Sequence, residues 1–195
     1  MTSETPVKLK RLLRSAMRKR LGELSPKLRA EASSIIVRRI REDPRWMRAR
    51  RILLYVPLKD EPDLWPLLET ALVEGKAVAL PRFESDAGIY GIRAIRHPQR
   101  DLRPGPHGIL EPGPDQPRWD HDTVDLVTVP GLAFSCSGAR LGRGKGYYDR
   151  ILEPVTGKKC GVGFDFQVQE ELPIESHDIA LDCLVTPRRW HEFTR

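Results

Sequence analysis

Three cysteines, five histidines, few aromatic residues and no long apolar run set the first limits on this 195-residue chain. Cys136, Cys160 and Cys183 are odd in number and unpatterned, so they support neither a disulfide framework nor a zinc site, and a reducing cytoplasm is the expected home. No stretch approaches the ~20 apolar residues of a membrane span. The opening "MTSETPVKLKRLL" lacks the apolar core of a secretory leader. His97, His107, His121, His177 and His191 have no spacing that suggests a metal centre or a catalytic triad, and they are read as structural or surface residues. Two phosphate-binding fingerprints are missing as well. A P-loop needs glycine five positions before its Gly-Lys pair and Ser or Thr after it, but position 139 is Ala139 and Gly146 follows Lys145. The dinucleotide pattern would need glycine at position 147, which is Tyr147.

Charge is plentiful and uneven. Residues 1–51 carry 16 Lys and Arg against 5 Asp and Glu, whereas the rest of the chain carries 17 against 22. Such an excess suits an anionic partner, although a solubilising helical face would look the same. The length suits one domain, with residues 1–45 as a basic helical segment packed on it.

Leu9, Leu13, Ala16 and Met17 recur at helical spacing over 6–24. Ser25 as N-cap and Pro26 at the first helical position predict a second helix to about Arg41. "RILLYVPL" (51–58) reads as a strand, a helix starts near Pro66, and "AVALPRF" (77–83) is the next strand. Between Glu84 and Thr123 prolines and glycines leave room only for a strand at "IYGIRAIR", and the segment reads as a long surface excursion bordering a site. Then follow a strand at "VDLVTVPGLAF", a glycine loop, a helix at "YYDRILEPV", and strands at "KKCGVGF" and "CLVTP". Apolar strands alternating with helices imply an α/β fold with a mostly parallel sheet, where ligands bind at the carboxyl ends of strands.

The glycine loop, "GARLGRGKGYYDR" (138–150), lies at such an end. Gly142, Gly144 and Gly146 let successive backbone N–H groups converge on an anion, and Arg140, Arg143 and Lys145 add charge-assisted hydrogen bonds. The loop reads as a triphosphate cradle, because three cations without a ligand would repel one another. Asp149, early in the following helix, suits Mg²⁺ held against phosphates, or a helix N-terminal acid favoured by the dipole.

The run "PGLAF…GARLGRGKGYYDR" closely resembles the signature of the 5-formyltetrahydrofolate cyclo-ligase family. "KRLLR" is similar to that family's N-terminal element, "YVPLKDE" to its first strand and acidic turn, and "GILEP" and "ELPIESHD" follow in the expected order. The resemblance implies a three-layer α/β/α sandwich related to the sugar-phosphate isomerase and CoA-transferase group. It implies ATP contacts from Lys10, Arg14 and the segment Arg140, Leu141, Gly142, Arg143, Gly144, Lys145, Gly146, Tyr147 and Tyr148. Val56 and Glu61 would contact the pterin side of the folate, bordered also by Arg143 to Tyr147, and Asp149 and Asp178 would ligate Mg²⁺. Arg143 and Lys145 are the expected catalytic cations, both aimed at the transferred phosphate.

Lys10 and Arg14 stand at i and i+4, so both heads leave one helix face. By position alone, Glu61 reads as a surface acid and Asp178 as a loop acid beside His177. Relatives often carry Asp where this chain has Ser135 and Thr where it has Leu64. The implied reaction is ATP- and Mg²⁺-dependent closure of 5-formyltetrahydrofolate, which also comes polyglutamylated, by a monomer or weak homodimer with no membrane partner. Two other classes stay open: a nucleic-acid-binding module built on the basic first 51 residues, disfavoured because they hold only Trp46 for base stacking, and a sugar-phosphate or CoA-ester enzyme on the same fold.

Overall fold

The computed structural model describes residues 6–85, 88–175 and 177–193, apart from the His107 side chain, so the reading of that histidine lies outside it. Helices α1 (Pro6–Glu23) and α2 (Pro26–Glu42) form where the apolar spacing places them. Ser25 caps α2, its hydroxyl accepting the Leu28 N–H at 3.3 Å, and Pro26 costs the first turn no hydrogen bond. A short α3 (Pro44–Arg48) starts at Asp43, whose carboxylate accepts the Arg45 N–H at 2.8 Å. Strand β1 (Arg51–Leu53) leads to α4 (Trp65–Val73), then β2 (Ala77–Glu84) and β3 (Ile89–Ile95). A helical turn α5 (Pro98–Asp101) precedes the hairpin β4 (Leu102–Pro104) and β5 (Leu110–Pro112). The chain continues through β6 (Leu126–Pro130), β7 (Ala133–Ser135), β8 (Arg140–Leu141) and α6 (Tyr147–Leu152). It ends with β9 (Lys158–Val162), β10 (Val168–Gln169), β11 (Cys183–Val185) and β12 (Trp190–Glu192).

The main sheet has the order β12-β11-β9-β6-β1-β2-β3. Its four inner pairings are parallel, and only the edge strands β12 and β3 run antiparallel. Side chains alternate between its faces as the pleat requires. Ile52, Leu54, Val78, Leu80 and Val185 meet α2, α3 and α4 on one face. Leu53, Ala79, Val127, Val129 and Leu184 meet Ile151 and Leu152 of α6 on the other. Helices on both faces make this the expected three-layer α/β arrangement. A small sheet, β10-β7-β8, carries α1, with Met17 and Leu21 packed on Leu132, Ala133, Leu141 and Phe164.

From β1 the chain builds outward to β2 on one side, and later through β6, β9 and β11 on the other. The gap between the ends of β1 and β6 is therefore the topological switch point, where such sheets leave a crevice.

Beyond α3, α5, β8, β10 and β12, which the sequence reading does not contain, three differences bear on the site. The strand expected over 51–58 ends at Leu53, because the chain turns out of the sheet toward that crevice. The strand expected over 124–134 is split between two sheets at Gly131, where a Cβ would stand 2.8 Å from the folded-back Phe134 ring. The excursion at 84–123 holds a second hairpin, β4–β5, beyond the one strand expected. Arg93 ties this excursion down, donating to the Pro114 and Gln116 carbonyls at 2.8 and 2.7 Å and to Glu84.

Candidate active site

The crevice at the switch point is a cleft of about 470 Å³. Tyr55 and Val56, just beyond β1, and Pro130 and Gly131, at the end of β6, form its base. Glu61 reaches it from the turn after β1, where the Leu58 N–H donates to its carboxylate at 3.0 Å and the Glu61 N–H returns to the Leu58 carbonyl. The turn folds the acid inward. Glu61 is only 7% exposed, which corrects its reading as a surface acid. Burial pushes its carboxyl above the usual range, against the opposing pull of Arg143 and the Leu58 N–H.

The glycine loop joins β8 to α6 along another wall. Gly144 (φ +103°) and Gly146 (φ +63°) occupy backbone conformations that side-chain-bearing residues rarely adopt, and Gly146 caps α6. Arg140 and Arg143 are each paired with carboxylates. Arg140, buried at the end of the small sheet, donates to Asp149 at 2.7 Å. Arg143 donates to Asp60 at 2.6 Å and to Glu61 at 3.0 Å. Lys145 lies over the Tyr147 ring, 5.7 Å from its centre. Repulsion among the cations is thus relieved by the protein itself, and it no longer argues for a ligand. Nor do Arg143 and Lys145 converge on one point as expected: the first turns to Glu61 and Asp60, the second to Tyr147.

Helix α1 supplies the rim. Lys10, only 4% exposed, donates to Glu175 and Asp178 at 2.7 and 2.6 Å. Burial alone would lower its pKa, but these two carboxylates hold it above the usual lysine range. Burial would raise Asp178, yet Lys10 and the Glu175 N–H outweigh it and hold the acid below its usual range. One turn along α1, Arg14 donates to the Gly142 carbonyl at 3.0 Å, and Arg18 to the Arg143 carbonyl at 3.2 Å. The i, i+4 cations therefore serve the site rather than a solvated stripe.

Tyr90, Tyr147 and Tyr148 give the cleft an aromatic wall, with Tyr90 and Tyr147 ring centres 4.6 Å apart. Tyr90 is pushed up to about 12 by burial and by neighbouring Glu111, so its hydroxyl keeps its proton near neutral pH. Burial does the same for Tyr148.

The residues that the sequence offers for binding, catalysis or metal all border this one cleft: Lys10, Arg14, Val56, Glu61, Arg140 through Asp149, and Asp178. Sequence reasoning missed Asp60, Tyr90, Glu111 and Glu175. Glu111 and Glu175 lie inside the noted runs "GILEP" and "ELPIESHD", whereas Tyr90 carries no local signal. Ser135 and Leu64 do not line the cleft. Ser135 is buried and accepts the Ala139 N–H at 3.0 Å across its own turn, and Leu64 sits in the main core. Among the described residues, no helix is long and apolar enough to cross a membrane.

A model of the 5-formyltetrahydrofolate cyclo-ligase family matches residues 6–187. The chain is 37% identical over 147 residues to a 5-formyltetrahydrofolate cyclo-ligase of Mycolicibacterium smegmatis, covering 72% of this chain and 75% of that one. It is 30% identical to the Saccharomyces cerevisiae cyclo-ligase, covering 90% and 94% of the two chains. The solution structure of Aquifex aeolicus 5,10-methenyltetrahydrofolate synthetase superposes with a TM-score of 0.87 at 36% identity, covering 96% and 94%.

Proposed function

The chain belongs to the 5-formyltetrahydrofolate cyclo-ligase family, and from that premise we propose that it closes 5-formyltetrahydrofolate to 5,10-methenyltetrahydrofolate while converting ATP to ADP and phosphate. The observation that carries this reading is the meeting of two chemistries in one cleft. Lysine and arginine side chains from α1, β8 and the glycine loop line it together with a buried carboxylate and three tyrosines.

A formyl oxygen on an amide-like nitrogen is a poor leaving group. Transfer of the γ-phosphoryl to it gives an iminophosphate, N10 attacks the formyl carbon, and phosphate departs. Phosphoryl transfer asks mainly for alignment and charge neutralisation, so the site needs no nucleophilic side chain. None of the three cysteines lines the cleft. In this reading Lys10, Arg14 and the segment Arg140–Tyr148 hold the nucleotide, and Val56, Glu61 and Arg143–Tyr147 border the folate. Arg143 stands at the junction of the two, joined to Glu61 but carried on the loop that holds phosphate. That position, and that of Lys145 beside Tyr147, suit the two cations to the charge that develops on the transferred group.

The donor set fits Mg²⁺. This ion takes oxygen ligands, one or two carboxylates completed by water and phosphate, and Asp149 and Asp178 present two carboxylates to the cleft. When bound, it would neutralise phosphate charge. The exposed cations of α1, such as Arg11 and Lys19, suit a polyglutamate tail, and the free cysteines suit a reducing compartment.

The test is the absorbance of methenyltetrahydrofolate, with ATP and Mg²⁺ supplied together and each left out. Product is expected only with both. Asp149→Asn keeps an acceptor for Arg140, so the fold is expected to survive with a loss of about 1 kcal/mol. Turnover should fall sharply, and half-maximal rate should require more Mg²⁺. An unchanged Mg²⁺ titration would take Asp149 out of the metal site.

A further inference from the structure

Two buried carboxylates border the cleft, and only one is accounted for. Glu61 is committed to Arg143. Glu111, in β5, is 3% exposed and lies against β2 and β3. Its Oε2 accepts the Phe83 N–H at 3.0 Å, and the Tyr90 hydroxyl lies near the carboxylate. The hairpin closes tightly over it, since a Cβ on Gly105 would stand 2.6 Å from Glu111 Cδ.

Glu111 Oε1 is cut off from solvent and has no hydrogen-bond partner, and among the described residues no cation pairs with the carboxylate. A buried carboxylate oxygen left without a donor is costly, and such groups in folded proteins call for a reason. The hairpin does not supply one, because a neutral amide would satisfy the Phe83 N–H equally well. Glu111 nevertheless borders the cleft together with Tyr90, Ile109 and Leu110.

A pterin carries a 2-amino-4-oxopyrimidine ring whose 2-amino group and N3–H form a donor pair on one edge, matched by a carboxylate's two acceptor oxygens. Resting on the folate reading above, we propose that Glu111 is the specificity-determining acceptor for this donor edge. Its unpartnered oxygen, covered in the free protein, is uncovered on binding and takes an N–H of the 2-amino group, while the Tyr90 ring flanks the pterin face. Glu61 and Arg143 are then left to the formyl and N10 side, where the phosphoryl group arrives.

The experiment is calorimetric binding of 5-formyltetrahydrofolate and its 2-desamino-2-methyl analogue, which lacks the exocyclic donor. The wild type is expected to prefer the natural compound on the order of ten- to a hundredfold. Glu111→Leu should bring that ratio close to one by weakening only the natural compound, with ATP affinity unchanged. Glu111→Gln, whose one oxygen stays with the Phe83 N–H and whose NH2 then faces the ligand's donor, should keep the hairpin intact and lose the preference. Parallel losses for both ligands, with the ratio unchanged, would mark Glu111 as a structural residue and overturn the assignment. A wild-type ratio near one would overturn it whether or not either variant folds. A wild type that makes methenyltetrahydrofolate but shows no Glu111 effect leaves the proposed activity standing, whereas one that binds neither compound removes both.

Discussion

Gly144→Val is expected to lower kcat/KM for ATP about a hundred- to a thousandfold, comparable to losing a preorganised oxyanion donor. Gly144 has φ +103°, a conformation in which a β-branched residue is strained by about 1–3 kcal/mol. The Cβ itself would meet the Arg14 guanidinium at an ordinary 3.4 Å, so it is the two methyl groups of valine that press on Arg14. Arg14 can yield, but yielding pulls its Nε away from the Gly142 carbonyl and loosens the loop against α1. Strain and displacement both fall on the backbone meant to approach phosphate. Folate affinity measured without nucleotide should change far less. Near-normal kcat/KM for ATP would reduce the loop to an ordinary turn.

Arg143→Ala is the second large effect, and it has a pH signature. Removing the guanidinium should cost about 2–4 kcal/mol of transition-state stabilisation. It also strips Glu61 of the partner that opposes its burial. Only the ionised carboxylate can accept an N–H or a proton from the formyl and N10 side, so kcat/KM for folate should rise with pH through the folded pKa of Glu61. That rise already lies above the usual 4.5 in the wild type and should move higher in Arg143→Ala. The stability dependence has the opposite sense. Because burial raises the folded pKa of Glu61, the folded state holds this proton more tightly than the unfolded chain does. The contribution is fully present below about pH 4.5 and is lost as pH rises through the folded value. Arg143→Ala should widen that window, visible as a steeper fall of Tm above pH 4.5. Rate profiles with coincident acid limbs would show that Arg143 and Glu61 do not act together.

Where the sequence was legible, local chemistry and tertiary placement agreed. Ser25-Pro26 announces α2, and of the four residues spaced along α1, Leu13 and Met17 face the small sheet with Leu21, whereas Leu9 and Ala16 are exposed. The glycine loop was legible because glycine is needed wherever φ turns positive, as at Gly144 and Gly146. The β4–β5 hairpin was not, since Pro104 and Pro112 read as breakers, although a short two-stranded hairpin tolerates proline at its ends. The inward turn of Glu61 depends on burial beneath Arg143, a residue 82 positions away, and no local pattern encodes that. The pairing of Arg140 with Asp149 and of Lys10 with Asp178 was hidden for the same reason. Both acids were singled out for a metal, while their cationic partners were assigned to phosphate.

The most direct test of the proposed chemistry follows the formyl oxygen. With 5-formyltetrahydrofolate labelled by oxygen-18 in the formyl group, and ATP and Mg²⁺ supplied, one turnover should place the label in inorganic phosphate, one atom for each methenyltetrahydrofolate formed. Unlabelled phosphate, with the heavy oxygen recovered in water, would show that the formyl oxygen leaves without being phosphorylated and would contradict a cleft built for phosphoryl transfer.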